Sequence, residues 1–247
     1  MVLKVKGIVI KESDTGEAGK RIVIITKEHG KMLLSARGAK KITSKTMAGT
    51  QLFSYCEFTL FEGKGFYSVT QADVIESFYG ISEDIEALAY GAYILEITER
   101  ASFEELENNE IFDLLLRTLF ILSKGKYNPR LAAEIFIIRL VRDSGFMGDL
   151  ECCQNCGKPF ENGAWYSAYN EEFMCRECVG ENGMYIGKGA LKAVKYIAES
   201  GLAGLFRFNV SAEVLEQLWQ LADEYRKIYF GERYKTLDYI NNMKFSY

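Results

Sequence analysis

Two pairs of cysteines constrain this chain more strongly than any other feature of its sequence. Cys153 and Cys156 form one Cys-x-x-Cys pair, and Cys175 and Cys178 form a second pair after eighteen intervening residues. Each pair fits a tight turn, and four thiolates at about 2.3 Å from one ion are typical of structural zinc. The spacing therefore predicts a four-cysteine zinc knuckle over residues 150–185, with no open coordination position for water or substrate.

Other interpretations of these cysteines are weaker. Disulfides need an oxidising compartment, and Met1-Val-Leu-Lys shows no signal peptide, so we expect a reducing cytoplasm. Haem attachment requires His after the second cysteine, where Gly157 stands, and a thioredoxin-like site does not need a second pair. Cys152 leaves a second register open because Cys152-x3-Cys156 can also chelate, although the equal two-residue spacing favours Cys153.

Charge is distributed unevenly over the 247 residues, whose formal net charge is −4. Residues 1–80 carry twelve Lys and Arg against eight Asp and Glu, a net charge of +4. Residues 81–149 carry seven against thirteen, a net charge of −6, and the remainder is −2. This asymmetry between segments indicates that one domain meets a polyanion while another does not. We expect no membrane span, because no run of eighteen apolar residues occurs.

The first eighty residues have the pattern of a small β-barrel. Alternating and β-branched runs predict five strands, and Glu62-Gly-Lys-Gly65 is a typical hairpin turn. The predicted strands are Leu3–Ile10, Arg21–Thr26, Lys31–Arg37, Gln51–Phe61 and Phe66–Ser77. Their number and length favour a closed barrel of the oligonucleotide-binding (OB) type over residues 1–80, and an SH3-like barrel remains open. His29, the one histidine, falls in a predicted turn.

A basic loop connects the third and fourth of these strands. Gly38–Thr50 contains three lysines and few large apolar groups, which predicts a mobile loop or at most one helical turn. With cations of the preceding hairpin, the loop could follow a phosphate backbone. The predicted DNA-binding residues are Arg21, Lys31, Arg37, Lys40, Lys41 and Lys45.

Four aromatic residues near this loop are candidates for stacking on bases. They are Phe53, Tyr55, Phe66 and Tyr67. Base stacking and backbone contacts carry little sequence information, so the predicted binding is nearly indifferent to sequence. Each ring taken alone is more typical of barrel core than of a binding surface.

The period of the apolar residues becomes helical after Gly80. Helices are predicted over Asn109–Ser123, Pro129–Asp143 and Lys188–Ser200, and a further helix is capped by Ser211. The fold class is therefore α+β and multidomain. It comprises the barrel, a first helical part at 81–149, an inserted zinc knuckle at 150–185 and a second helical part at 186–247.

Three arginines interrupt the apolar sequence of the Pro129–Asp143 helix, namely Arg130, Arg139 and Arg142. One interpretation is a solvated face with local ion pairs to Glu134 and Asp143. The other is a partner-binding edge beside a hydrophobic groove, which would suit the carboxylates of an acidic peptide terminus. Both interpretations stay open at the level of sequence.

Common catalytic motifs are absent from the sequence. It contains no G-x-x-x-x-G-K-[S/T] phosphate loop, and its one histidine has no nucleophile placed beside it. A zinc deaminase would need H-x-E and P-C-x-x-C, and no proline precedes either cysteine pair. The sequence therefore favours a binding protein over an enzyme.

The order of these features resembles the RecO family of bacterial recombination-repair proteins, over nearly the whole chain. The motifs that carry the resemblance are individually weak and are specific in this order. In the first eighty residues they are Gly7-Ile-Val-Ile, Glu17-Ala, Thr26-Lys-Glu-His-Gly-Lys31, Ala36-Arg-Gly-Ala-Lys-Lys41, Leu52-Phe-Ser, Leu60-Phe-Glu-Gly-Lys-Gly65 and Thr70-Gln-Ala-Asp-Val74. Leu88-Ala-Tyr and Asn128-Pro-Arg-Leu-Ala132 follow.

The resemblance implies a mediator that binds single- and double-stranded DNA. Such a protein anneals complementary strands coated by single-stranded-DNA-binding protein and, with RecR, helps to load RecA. The resemblance also implies an OB barrel, a helical domain that receives the acidic tail of single-stranded-DNA-binding protein, and one zinc ion. It further implies that no nucleotide is hydrolysed and that the location is cytoplasmic and nucleoid-associated.

Two other functions remain as alternatives. In a protein-interaction scaffold, the barrel and knuckle would bind proteins and the lysines would only solvate a loop. A zinc-ribbon transcription regulator would prefer one duplex sequence.

Overall fold

The computed structural model describes residues 2–63 and 65–243, which divide into two compact units. The first unit comprises the described residues of Met1–Tyr127 together with Tyr234–Met243, and the second comprises Asn128–Arg233. In the described ranges, none of the helices is both long and apolar enough to cross a membrane. The predicted boundaries after residues 80, 149 and 185 follow the sequence pattern and stay predictions.

Five strands of the first unit form a closed barrel. In sequence order they are β1 (Val2–Thr15), β2 (Gly19–Thr26), β3 (Lys31–Ala36), β4 (Tyr55–Glu62) and β5 (Tyr67–Glu76). The strand order around the barrel is β1-β2-β3-β5-β4, and β1 also pairs with β4. The β3–β5 pairing is parallel and joins Leu34 to Tyr67 and Ser35 to Ser68, whereas the other pairings are antiparallel. This OB-like architecture confirms the predicted barrel.

Alternation along the strands explains why this sequence closes into a barrel. In β3, Met32, Leu34 and Ala36 are buried, while Leu33 between them is 49% exposed. The inward side chains of all five strands form one apolar core. Its buried members are Val5, Val9, Ile22, Ile24, Met32, Leu34, Cys56, Phe58, Leu60 and Ala72. The residues of the other parity, such as Arg21 of β2 and Leu33 of β3, therefore lie on the outer face.

The observed strands differ from the predicted ones by one or two residues at several ends and by more at two places. β1 reaches Thr15 because a register shift between Val9 and Lys11 lets it continue along β2. β4 begins only at Tyr55, since Phe53 adopts a left-handed conformation with φ of 71° and ends the preceding loop. The predicted turn Glu62-Gly-Lys-Gly65 joins β4 to β5, and its Lys64 lies outside the described residues.

Besides two short 3-10 helices, the described part of the first unit is completed by three α-helices. They are α1 (Ile85–Ala101), α2 (Asn109–Ser123) and, numbered last in chain order, α6 (Lys235–Met243). Asp84 begins α1 by accepting hydrogen bonds from the backbone N–H groups of Glu86 and Ala87. Two ion pairs link barrel and helices, Lys11 with Glu99 at 2.8 Å and Lys27 with Asp113 at 2.6 Å.

The second unit combines helices with a small sheet. α3 (Pro129–Asp143) begins with Asn128 as its N-cap and Pro129 in its first turn, as the sequence predicts. Strands β6 (Gly163–Ser167), β7 (Glu172–Met174) and β8 (Met184–Gly187) form an antiparallel sheet in the order β7-β6-β8. Helices α4 (Lys188–Glu199) and α5 (Ala212–Tyr225) follow, and Arg226–Phe230 extends α5 as one π-helical turn.

Gly30 at the tip of the β2–β3 hairpin allows a test of how the hairpin packs against the segment between α1 and α2. Gly30 has φ of 61°, and a Cβ there would collide with the carbonyl oxygens of Phe103 and Leu106. Gly16 has the same φ of 61° and open space around it. We expect Gly30→Ala to lower the free energy of unfolding of the barrel by roughly 3 kcal/mol, against about 1 kcal/mol for Gly16→Ala. Hydrogen exchange of the β2 and β3 amides measures both, and equal losses would contradict the packing described here.

Candidate nucleic-acid interface and metal centre

A groove of about 600 Å³ runs across the outer face of β2, β3 and the start of β5. Arg21 lies opposite Ser35 across the β2–β3 pair, and Arg37 follows directly after β3. Lys31 and Leu33 project from the same side of β3, because residues two apart on a strand share a face. The groove thus brings together three of the six predicted DNA-binding cations.

These three cations differ in how they are held. Lys31 is half-buried and its Nζ donates to the backbone carbonyl of Glu99 at 3.0 Å, so its position is fixed. Arg21 and Arg37 are exposed, and neither makes an ion pair with any residue that the structure describes. Two guanidinium groups in the groove are therefore available to phosphates, which they bind with planar, bidentate geometry.

The other three predicted cations lie on the loop that follows Arg37. Lys40 is tied to Asp14 by an ion pair of 2.6 Å, while Lys41 and Lys45 are exposed. The loop is a series of hydrogen-bonded turns that ends in a short 3-10 helix at Ala48–Thr50. With Lys41 and Lys45 exposed, the loop therefore adds positive charge to the chain directly after Arg37 of the groove.

The four aromatic candidates differ in how exposed their rings are. Phe53 is only 3% exposed and belongs to the core. Tyr55 is half-buried and makes an edge contact with the ring of Phe112 at 5.8 Å. Phe66, which is 47% exposed, and Tyr67 line the groove. Phe66 can offer a ring face to a base beside the cations, whereas the half-buried Tyr67 also packs against the barrel core.

Two acidic residues of the groove were missed by the sequence reasoning. Glu104 and Glu105 belong to the segment between α1 and α2 and line the groove near His29. The backbone N–H of Glu105 donates to the carbonyl of His29 at 3.2 Å, and that of Lys31 donates to Phe103 at 3.0 Å. The acidic composition of residues 104–110 was visible in the sequence, but its contact with the hairpin was not. One end of the groove is therefore less favourable to a polyanion.

The second candidate site lies in the cysteine knuckle of the second unit. The Sγ atoms of Cys153, Cys156, Cys175 and Cys178 all lie within 4.8 Å of one another. Those of Cys156 and Cys175 are 3.7 Å apart. Sulfur atoms bonded tetrahedrally at about 2.3 Å would be separated by about 3.8 Å. The four residues predicted from spacing therefore fit one tetrahedral ion.

Both pairs present their sulfurs from similar turns. The N–H of Gly157 donates to the carbonyl of Cys153 at 2.8 Å, and the N–H of Val179 donates to that of Cys175 at 3.1 Å. Gly157 and Gly180, just after each turn, have φ of 74°. A left-handed residue lets the chain leave each turn without a steric clash, which explains the glycines.

The electrostatics of the four sulfurs favour a bound cation. Burial opposes ionisation of Cys153, but backbone N–H groups of Cys175, Cys156 and Asn155 lower its pKa to about 6. Asn155 also lowers the pKa of Cys178, yet the adjacent sulfurs of Cys175 and Cys156 dominate and raise it to about 12. The pKa of Cys153 is thus lowered while that of Cys178 is raised, and ionising all four sulfurs together needs a positive ion to offset their mutual repulsion.

Cys152 does not join the cluster. It is half-buried, and its Sγ donates to the carboxylate of Asp149 at 3.6 Å. Its backbone N–H donates to the same carboxylate at 3.2 Å, so both groups are engaged outside the cluster. The register through Cys153 is the one that the structure adopts.

The three predicted partner-binding arginines lie on α3 and are engaged within the chain. Arg130 pairs with Glu134 at 3.1 Å and Glu216 at 2.7 Å, and its guanidinium lies over the ring of Trp219. Glu134 is fully buried, which raises the pKa of its carboxyl although Arg130 opposes that rise. The Arg130–Glu134 pair matches the local ion pairing considered above, but in a buried setting.

Arg139 and Arg142 share Asp143. The Nε of Arg139 donates to both carboxylate oxygens at 2.9 Å, and its Nη1 donates to the carbonyls of Ile197 and Ser200 at the end of α4. Arg142 pairs with Asp143 at 2.8 Å, with 46% of its side chain exposed. Of the three, Arg142 is the one that an external carboxylate can reach.

The geometry of the knuckle predicts how single cysteines contribute to metal binding. Cys153→Ser should remove most of the bound metal and open the cysteine turns to protease, because Cys153 and Cys175 lie in a small buried cluster with Met174 and Val179 that the ion would hold together. Cys152→Ser, a change at the adjacent cysteine, should leave the metal content near one ion per chain. Elemental analysis of protein purified without chelator measures both, and equal metal content in the two variants would contradict the assignment.

Comparison with known proteins agrees with this arrangement of barrel, helices and knuckle. The family model described as Recombination protein O N terminal matches residues 1–78, and the one described as Recombination protein O C terminal matches residues 82–238. The first covers the barrel strands, and the second covers the cysteine cluster.

Proteins similar over nearly the full length carry one name. The chain is 37% identical to DNA repair protein RecO of Acetivibrio thermocellus over 243 residues, which cover 98% of this chain and 97% of the relative. It is 32% identical to DNA repair protein RecO of Alkaliphilus metalliredigens over 227 residues, 91% of this chain and 92% of the relative. With that of Bacillus pumilus it shares 29% identity over 246 residues, 99% of this chain and 95% of the relative. The chain belongs to the RecO family of DNA repair proteins.

Proposed function

We propose that this protein is a recombination mediator that binds single- and double-stranded DNA and anneals complementary strands coated by single-stranded-DNA-binding protein. With RecR it would help to load RecA, and it hydrolyses no nucleotide. Membership of the RecO family supports a role in DNA repair. The observation that carries the DNA-binding part is the groove in which Arg21, Lys31 and Arg37 lie beside Phe66 and Tyr67.

The composition of the groove suits a strand of any sequence. Cations contact phosphates, and the faces of aromatic rings stack on every base. Neither contact reads base edges, and annealing requires that indifference. Neutralising roughly four phosphates of a single strand gives a slope of log K against log salt near −3.

We propose that the ion of the knuckle is zinc and that it is structural. All four ligands are cysteines, which leaves no position for water or substrate. The knuckle then stabilises the second unit and takes no part in contacts with phosphate.

Charge reversal in the groove and loop tests the DNA-binding proposal. Arg37→Glu with Lys41→Glu should lower the affinity for single-stranded DNA at low salt by tenfold or more and reduce the salt slope by about 1.4. Both residues are exposed and make no ion pair with a described residue, so folding should be unaffected. Fluorescence anisotropy with a labelled oligonucleotide measures affinity and slope.

The matched control changes the same charge elsewhere on the barrel. Lys4 and Lys6 are exposed on β1. Lys4 lies opposite Thr59 of β4, whereas the groove lies on β2, β3 and the start of β5. Lys4→Glu with Lys6→Glu should leave affinity within about twofold and leave annealing of protein-coated strands intact. Equal losses in the two double variants would refute the groove and favour a scaffold role with nonspecific attraction to DNA.

We further propose that the acidic tail of single-stranded-DNA-binding protein binds the second unit near Arg142. Arg130 and Arg139 would act there indirectly, by holding α3 and the end of α4 in place. Arg142→Ala should weaken binding of a tail peptide by about fivefold, as expected for one charge-assisted hydrogen bond. Arg207→Ala, which removes another exposed arginine of this unit, should not. Calorimetric titration of the peptide checks this, and identical affinity for the two variants would remove Arg142 from the site.

A further inference from the structure

One residue of the basic loop is not explained by folding or by phosphate binding. Ile42 is 91% exposed, the most exposed of the large aliphatic side chains that the structure describes. It occupies the second position of a turn closed by the N–H of Ser44 donating to the carbonyl of Lys41 at 2.8 Å. Turn positions favour Gly, Pro, Asn, Asp and Ser, so the turn itself does not call for isoleucine.

The turn that presents Ile42 is held by the rest of the barrel. The N–H of Lys40 donates to the carbonyl of Ala18 at 3.1 Å, and its ammonium pairs with Asp14 at 2.6 Å. The N–H of Lys41 donates to the carbonyl of Gly38 at 3.1 Å. Ile42 therefore projects from an ordered tip, which lowers the conformational entropy lost on insertion into a partner.

The neighbours of Ile42 indicate what the partner is. Lys41 and Lys45 flank it with exposed ammonium groups, and the loop follows Arg37 of the groove. A surface that binds proteins would normally offer a contiguous apolar patch, whereas here one apolar side chain stands between cations. Aliphatic wedges between cations that contact phosphates are a recurring device by which proteins unstack neighbouring bases of DNA.

We propose that Ile42 is a wedge that inserts between stacked bases of bound DNA at the junction of single and double strand. This inference rests on the proposed function and adds to it a specific residue. The lysines hold the backbone on both sides while the aliphatic side chain separates two bases. Bases freed from stacking can then pair with an incoming complementary strand.

If Ile42 is a wedge, substituting it should change the unstacking of bases without changing the affinity for DNA. Ile42→Ser removes the wedge and leaves every charge in place, so affinity and salt slope should change by less than about twofold. Unstacking should be lost. Ile42→Leu keeps an aliphatic side chain and should retain it. Val2→Ser, at an aliphatic residue of β1 that is 67% exposed, controls for the loss of exposed apolar surface.

The experiment uses the full-length protein and a duplex with a single-stranded extension that carries 2-aminopurine at the first paired position. Unstacking of this base raises its fluorescence. We expect wild type, Ile42→Leu and Val2→Ser to raise it by roughly threefold or more at saturation, and Ile42→Ser to raise it by less than about half as much.

Two results would overturn the wedge. One is an equal fluorescence rise with Ile42→Ser, and the other is saturated binding of wild type with no rise at all. Failure of the proposed DNA-binding function can be distinguished from failure of the wedge, because wild type would then not bind the junction in a parallel anisotropy titration.

Discussion

Closure of the five-stranded barrel by the short parallel pairing of β3 with β5 determines which charged side chains of the barrel strands face outward. That pairing spans only Leu34 with Tyr67 and Ser35 with Ser68. Once the sheet is closed, one face of each strand fills the interior and the other must face outward. The cations of β2 and β3 therefore lie on the outer surface beside Phe66, and Tyr67, at the pairing of β3 with β5, lines the same groove while packing against the barrel core. Core packing and the binding surface are two consequences of one register.

The sequence predicted the elements well because local patterns determine them. Five strands, the helices at Asn109–Ser123 and Pro129–Asp143, and the four clustered cysteines were readable from alternation, helix caps and spacing. Each Cys-x-x-Cys turn is a local structure, and only the proximity of the two pairs depends on the tertiary fold. A metal site of this kind is therefore among the most predictable features of a sequence.

Side-chain partners that are distant in sequence could not be predicted. Lys31 was assigned to DNA from its charge, yet its ammonium is held by a carbonyl 68 residues away, that of Glu99. Arg130 finds Glu216, 86 residues away, and Glu104 reaches the groove through the hairpin tip. Such contacts depend on tertiary packing, which leaves no periodic signal in the chain. The structure thus refines which of the predicted cations are accessible, with Arg21, Arg37, Lys41 and Lys45 first among them.

The most direct test of the proposed DNA surface is hydrogen exchange of the full-length protein with and without a saturating single-stranded oligonucleotide. If the groove and the basic loop bind the oligonucleotide, backbone amides there should exchange more slowly in the complex. The segments concerned are Arg21–Thr26, Lys31–Arg37 and Gly38–Thr50. The cysteine knuckle at 150–185 should be unchanged. Protection confined to the knuckle, with the β2–β3 hairpin and the loop unaffected, would contradict this assignment.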